Sequence, residues 1–137
     1  MNNNIENTAE SIIEDFSLFS DWEDKYTYII DLGKHLDFLD NKYKIDEFKV
    51  LGCTSQVWLK AEKGPDQSFY FYADSDSHIV KGLLAILLKI YNGKNSEEIL
   101  SFEVEDFFSK LGLKEHLSPS RSNGFFAIVK KIRDIVD

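Results

Sequence analysis

The chain has 137 residues, 43% hydrophobic and 29% charged, with 24 acidic against 16 basic side chains and a formal net charge of −8. That balance is globular rather than disordered, and a negative surface repels phosphate backbones, which argues against nucleic acid or an anionic membrane as partner. The single cysteine, Cys53, rules out an intramolecular disulfide. No GxGxxG or Walker A pattern occurs, and the chain is too short for a pyridoxal-phosphate enzyme fold or a dinucleotide domain with its own substrate domain.

A chain of this length buries roughly two-thirds of its unfolded surface. One domain over residues 1–137 is therefore expected, folding without disulfides or metal. No basic and apolar leader opens the chain. The longest apolar stretch, 82–90, is too short to span a bilayer and contains Lys89. A reducing, cytoplasmic location is the simplest expectation.

Residues 1–7 are polar and expected to fray. From Thr8 the spacing of Ile12, Ile13, Phe16 and Phe19 predicts a helix. Asp21 is a good N-cap for a second, with Trp22, Tyr26, Ile29, Ile30, Leu36 and Leu39 on one broad face and Asp40-Asn41 as its end. A period-two region follows. Residues 48–51 predict a first strand, Val57, Leu59 and Ala61 one face of a second, and 69–73 a third. Gly64-Pro65-Asp66 is a turn signal. Asp74 to Ser77 caps a helix over about 77–91 that is apolar almost all round, the pattern of a central helix. Ser96 opens a short helix, and Val104, Phe107, Phe108 and Leu111 mark another, ended by Gly112. Ser118-Pro119 starts the last, running to about 136. Helices, three strands and helices again read as one α+β domain: a small three-stranded antiparallel sheet packed by the N- and C-terminal helices.

Cys53 is the residue most able to carry chemistry. A lone cysteine is usually a small buried hydrophobe. Gly52 before it and Thr54-Ser55 after it place this one on a loop between strands, and loops on a rigid scaffold carry function. The missing Cβ at Gly52 lets a partner approach closely. Thiolate formation needs a positive charge, a helix N-terminus or donors nearby. Thr54 and Ser55 carry no charge, so Arg121, His116 and His35 are the distant candidates. Arg121 lies in a first helical turn, where it opposes the macrodipole unless it faces an anion. A thiolate or persulfide would serve, and so would an internal carboxylate. Asp74 and Asp76 read first as helix-capping residues. The scattered His35, His78 and His116 have no metal-ligand spacing, so no metal site is expected. A Cys53–His116 hydrolase pair lacks an evident orienting residue.

The run Val50-Leu51-Gly52-Cys53-Thr54-Ser55-Gln56-Val57-Trp58-Leu59 resembles the GC-SQVW signature of SufE-type proteins, the sulfur-acceptor partners of cysteine desulfurases in iron–sulfur cluster assembly. Three further segments agree in order. Asp21 to Tyr26 with Ile30 to Gly33 is similar to the DWE-KY and LG elements, Ala73 to Leu83 to DSD-IVKGL, and His116 to Gly124 to HL-PSR-G. The resemblance implies a curved sheet packed by helices, akin to scaffold proteins of the IscU type. It implies Cys53 as persulfide acceptor, Arg121 as a stabiliser of the anionic sulfur, and Gly52, Thr54, Ser55, Gln56, Asp74 and Asp76 on the partner-binding face. It also implies a SufS- or CsdA-like desulfurase partner that holds the pyridoxal phosphate, no cofactor on this chain, and a SufBCD-like scaffold as sulfur recipient. No stand-alone small-molecule catalysis is expected. A docking-only adaptor of a desulfurase is the alternative. A pocket walled by Leu51, Trp58 and strand aromatics is expected to shield the persulfide.

Overall fold

The computed structural model describes residues 5–37 and 39–137. Helix α1 (Ile5–Ser17) buries Ile5, Ala9, Ile12 and Phe16 at helical spacing. Residues 5–7, expected to fray, are therefore helical, held by the buried Ile5 side chain; residues 1–4 lie outside the described residues. Helix α2 (Trp22–Gly33) starts where its cap predicts, with the Asp21 carboxylate accepting the Asp24 N–H. It stops six residues before the expected end near Leu39. The N–H groups of Lys34, His35 and Leu36 bond three residues back, to the carbonyls of Asp31, Leu32 and Gly33, and the helix tightens into turns.

Two single-turn 3₁₀ helices follow, Asn41–Tyr43 and Asp46–Phe48. The second replaces most of the expected first strand. Between its end and the left-handed Gly52 (φ 94°), the backbone has room for one isolated bridge, Lys49 with Trp58, and one bond from Val50 N–H to the Val57 carbonyl. Among the described residues the sheet therefore has two strands rather than three: β1 (Val57–Lys63) and β2 (Phe69–Ser75), antiparallel in the register Leu59 opposite Ala73. The connection closes through Gly64 N–H to the Ser68 carbonyl at 2.7 Å. Alternation puts Val57, Leu59, Phe71 and Ala73 on the buried face.

Helix α3 (His78–Tyr91) is capped by the Ser77 hydroxyl and is buried along most of its length, the central position its pattern predicts. It packs against α2, β2, α1 and the last helix. The α2–α3 crossing is close because both helices present glycine: a Cβ on Gly82 would sit 2.1 Å from the Ile29 carbonyl oxygen, and one on Gly33 2.7 Å from Gly82 N. Helix α4 (Ser96–Ser101) opens with a reciprocal capping box between Asn95 and Glu98. Helix α5 (Val104–Lys110) ends before Gly112, as expected. A four-residue helix α6 (Leu113–His116) then forms, with Leu113 buried. Helix α7 (Pro119–Val136) has the Ser118 cap and Pro119 in its first turn. Among the described residues, seven α-helices around a small antiparallel sheet make this an α+β fold.

Candidate functional site

The loop at residues 51–56 lies across the N-terminal half of α7. Gly52 makes this course available. Its φ of 94° is a left-handed conformation that side chains rarely adopt, and an added Cβ would come 3.3 Å from the Ala127 side chain. One residue on, the Cys53 thiol points at the Gly124 carbonyl oxygen, 3.6 Å away. The loop is tied at two more points. Thr54 and Ser120 share a hydroxyl hydrogen bond of 3.0 Å. The Asp76 carboxylate accepts the Gln56 backbone N–H at 3.0 Å, and the Asp76 N–H returns a bond of 3.3 Å to the Gln56 carbonyl.

Cys53 is half-buried, and burial pushes its thiol pKa up. It opens onto a cavity of about 300 Å³. The floor is apolar: Val80 and Leu83 of α3, Phe125 and Ile128 of α7. The rim is made of hydroxyls from Thr54, Ser55, Ser77, Ser118 and Ser120. Ser77 and Ser118 are the N-caps of α3 and α7, so two helix N-termini face the same space. Among the described residues, Arg121 is the one ionic side chain on the cavity lining. Cation and helix N-termini together favour an anion there, although the resting thiol is held neutral by burial and faces a carbonyl.

Arg121 is thus on the same cavity as Cys53. Its guanidinium lies 5.9 Å from the centre of the Tyr26 ring, and among the described residues it forms no ion pair. The internal carboxylate, open as its partner on sequence alone, is not what holds it. The other two distant candidates are elsewhere. His116 stacks on Trp22 at 4.7 Å, and His35 lies by the Asp31 carbonyl and lines a separate cavity. Among the described residues, no histidine lines the cavity beside Cys53.

The shielding walls differ from expectation. Leu51 is 83% exposed and Trp58 is absent from the cavity lining; the apolar walls come from α3 and α7. In the sequence those residues read only as core positions of helices, with nothing to link them to Cys53. Asp74 and Asp76 have structural engagements. Asp76 braces the loop, and Asp74 pairs with Lys44 at 2.7 Å and Lys81 at 3.4 Å. Burial alone would raise the Asp74 pKa, but the Lys44 hydrogen bond, the Ser75 N–H and the Lys81 charge outweigh it and hold the carboxyl below its usual range. Gly52, Thr54 and Gln56 remain exposed at the loop surface, with Ser55 half-buried. Among the described residues no group of three or more His, Cys, Asp or Glu is placed to hold a metal ion, and no helix is long and apolar enough to cross a membrane.

Fold and site together define a one-cysteine α+β domain whose thiol rides on a glycine-turned loop braced against a helix N-terminus. Comparisons carry this further. A sequence profile described as SufE, Fe-S metabolism associated domain, matches residues 10–136. An uncharacterized SufE-like protein of Rhizobium etli is 47% identical over 130 residues, 93% of this chain and 88% of the relative. A second, from Rhizobium meliloti, is 42% identical over 129 residues, 92% of each chain. The solution structure of a hypothetical protein from Thermus thermophilus superposes with a TM-score of 0.76 at 17% identity, covering 94% of this chain and 93% of that one, a likeness of fold. The chain belongs to the SufE family and so to proteins associated with iron–sulfur metabolism.

Proposed function

We propose that the protein is a sulfur acceptor: Cys53 takes the terminal sulfur of a persulfide carried by a cysteine desulfurase, and later yields it to an iron–sulfur scaffold. The observation that supports this most is the pairing of a half-buried thiol with a cavity lined by one cationic residue, Arg121, and by the N-caps of two helices. Such a site favours an anionic sulfur once it forms.

In the transfer, Cys53 first loses its proton to solvent. Its thiolate attacks the outer sulfur of R–S–SH. One S–S bond forms as another breaks, giving Cys53–S–SH and R–S⁻, and the leaving thiolate takes up a proton. The transferred sulfur keeps its oxidation level, so no external oxidant or reductant is needed. The step is a relative of thiol–disulfide exchange, and its rate follows thiolate fraction and access. Pyridoxal phosphate does its chemistry on the desulfurase, of SufS or CsdA type. A SufBCD-like complex is the recipient in this reading, and the setting is cytoplasmic. Arg121 steadies the anionic sulfur in the cavity. Gly52, Thr54, Ser55, Gln56, Asp74 and Asp76 form the face that the partner meets, and the bonds between Asp76 and Gln56 hold the loop in place.

The test mixes the protein with a cysteine desulfurase and cysteine and weighs the intact chain. A gain of about 32 Da, one sulfur atom, is expected on the wild type and absent from Cys53→Ser. Wild type without the gain refutes the proposal. Stimulation of the desulfurase by Cys53→Ser equal to wild type instead identifies a docking-only adaptor. Arg121→Ala is expected to stimulate less than wild type; equal stimulation removes Arg121 from the mechanism.

A further inference from the structure

Among the described residues Leu51 is the most exposed of the large hydrophobic side chains, at 83%, and it stands two residues before Cys53. Its exposure is imposed by its neighbours. Val50 is buried and its N–H is bonded to the Val57 carbonyl. Gly52 turns the chain against Ala127, and Cys53 is aimed at Gly124. Between those anchored residues, Leu51 is directed outward. It borders an open groove of about 480 Å³ that runs along the next turns of α7, with Ala127, Lys130 and Lys131 on the far side. The thiol and the leucine thus occupy consecutive stations along one helix, Gly124 beneath the first and Ala127 near the second.

Single exposed leucines are ordinary on protein surfaces. What distinguishes this one is its distance from a bond-forming atom. Sulfur transfer needs a donor sulfur within about 2 Å of Cys53 Sγ at the moment of exchange. A standard interface covers about 800 Å² of each partner, a disc of roughly 16 Å radius. The Leu51 Cα is no more than about 7.6 Å from that of Cys53, two Cα steps away. A desulfurase whose contact is centred on the thiol therefore also covers Leu51, near the middle, where binding energy concentrates.

We infer that Leu51 is the apolar anchor of the docking face, seating in an apolar depression on the desulfurase beside its persulfide-bearing cysteine. This rests on the sulfur-acceptor reading above. Leu51 contributes to capture of the partner and leaves the exchange step itself untouched.

The experiment compares wild type, Leu51→Ser, Leu51→Ala and Leu18→Ser, with two sulfur donors: a cysteine desulfurase supplied with cysteine, and inorganic polysulfide. Leu18 is 80% exposed but lies after α1, off the Cys53 cavity and the Leu51 groove, and serves as the control. Burial of a leucine side chain corresponds to a roughly tenfold or larger change in affinity. The expected result for Leu51→Ser is a half-saturating concentration for desulfurase stimulation raised by about tenfold or more. Leu51→Ala should be intermediate, Leu18→Ser unchanged, and polysulfide should load all four equally. Equal half-saturation for Leu51→Ser and wild type overturns the inference. So does an equal loss in Leu18→Ser, or a loss in the Leu51 variants with both donors, which would place Leu51 in the shaping of the loop. If wild type gains no sulfur from either donor, the sulfur-acceptor reading fails, and this inference with it.

Discussion

The Cys53 thiol donates toward the Gly124 backbone carbonyl across 3.6 Å, from a loop onto the second turn of a helix 71 residues later in the chain. A carbonyl oxygen accepts S–H but repels a thiolate, so this contact and burial act in the same direction. Burial thus pushes the thiol pKa up in the resting site, and the groups that favour the anion, Arg121 and the ends of α3 and α7, line the adjoining cavity.

The pH dependence of alkylation tests this resting state. Iodoacetamide reacts with thiolate, so its rate on folded protein should rise with a midpoint above the ordinary thiol value of about 8.5 and fall back to it in urea. The linkage sign follows. Above the unfolded pKa the native state binds more protons than the unfolded state, so stability declines as pH rises from about 8.5 through the raised folded pKa. Cys53→Ser should abolish that part of the decline. A folded midpoint at or below the unfolded one would contradict the role assigned to burial.

Two glycines should respond with opposite signs. An alanine at Gly124 would place its methyl 3.6 Å from Cys53 Sγ, an ordinary contact, inside a helix. Urea unfolding should show Gly124→Ala more stable by about 0.5–1 kcal/mol, while its Cys53 alkylates several-fold more slowly because the methyl covers the sulfur. At Gly82 the added Cβ would fall 2.1 Å from the Ile29 carbonyl oxygen, so α2 and α3 must separate. Gly82→Ala should lose about 3 kcal/mol or more. A neutral Gly82→Ala would show that the helix crossing has slack the geometry denies.

Asp74 should govern part of the acid sensitivity. Its carboxyl is held below the usual range, so the stability it contributes is complete above about pH 4 and disappears as pH falls through the depressed folded pKa. Asp74→Asn should cost about 1–2 kcal/mol at neutral pH, through the loss of charge-assisted bonds to Lys44 and Lys81. The difference from wild type should shrink on acidification. A gap that stays constant from neutral pH to below about pH 3 would exclude this origin.

Local order was legible in the residues themselves. Asp21, Ser77 and Ser118 cap the helices they announce, Pro119 sits in a first turn, and the all-round apolar pattern of residues 77–91 belongs to the buried central helix. Cys53 on a glycine-flanked loop was legible too, together with the four motifs that carry the family. Those signals are short-range: caps, turns and periodicity depend on residues within a few positions of one another. Leu36 and Leu39 continued a helical spacing that the backbone abandons at Gly33, and residues 48–51 alternated like a strand yet form a turn and one bridge. In both places the backbone departs from the side-chain periodicity, through bonds three residues back after Gly33 and a 3₁₀ turn ahead of the left-handed Gly52. The setting of the thiol is decided by residues far apart in the chain. Gly124 beneath the sulfur, the floor of Val80, Leu83, Phe125 and Ile128, and Arg121 on the rim come from α3 and α7, far from Cys53 along the chain. The residues singled out Cys53; its shelter, its neighbours and the outward face of Leu51 exist only because separate segments meet in three dimensions.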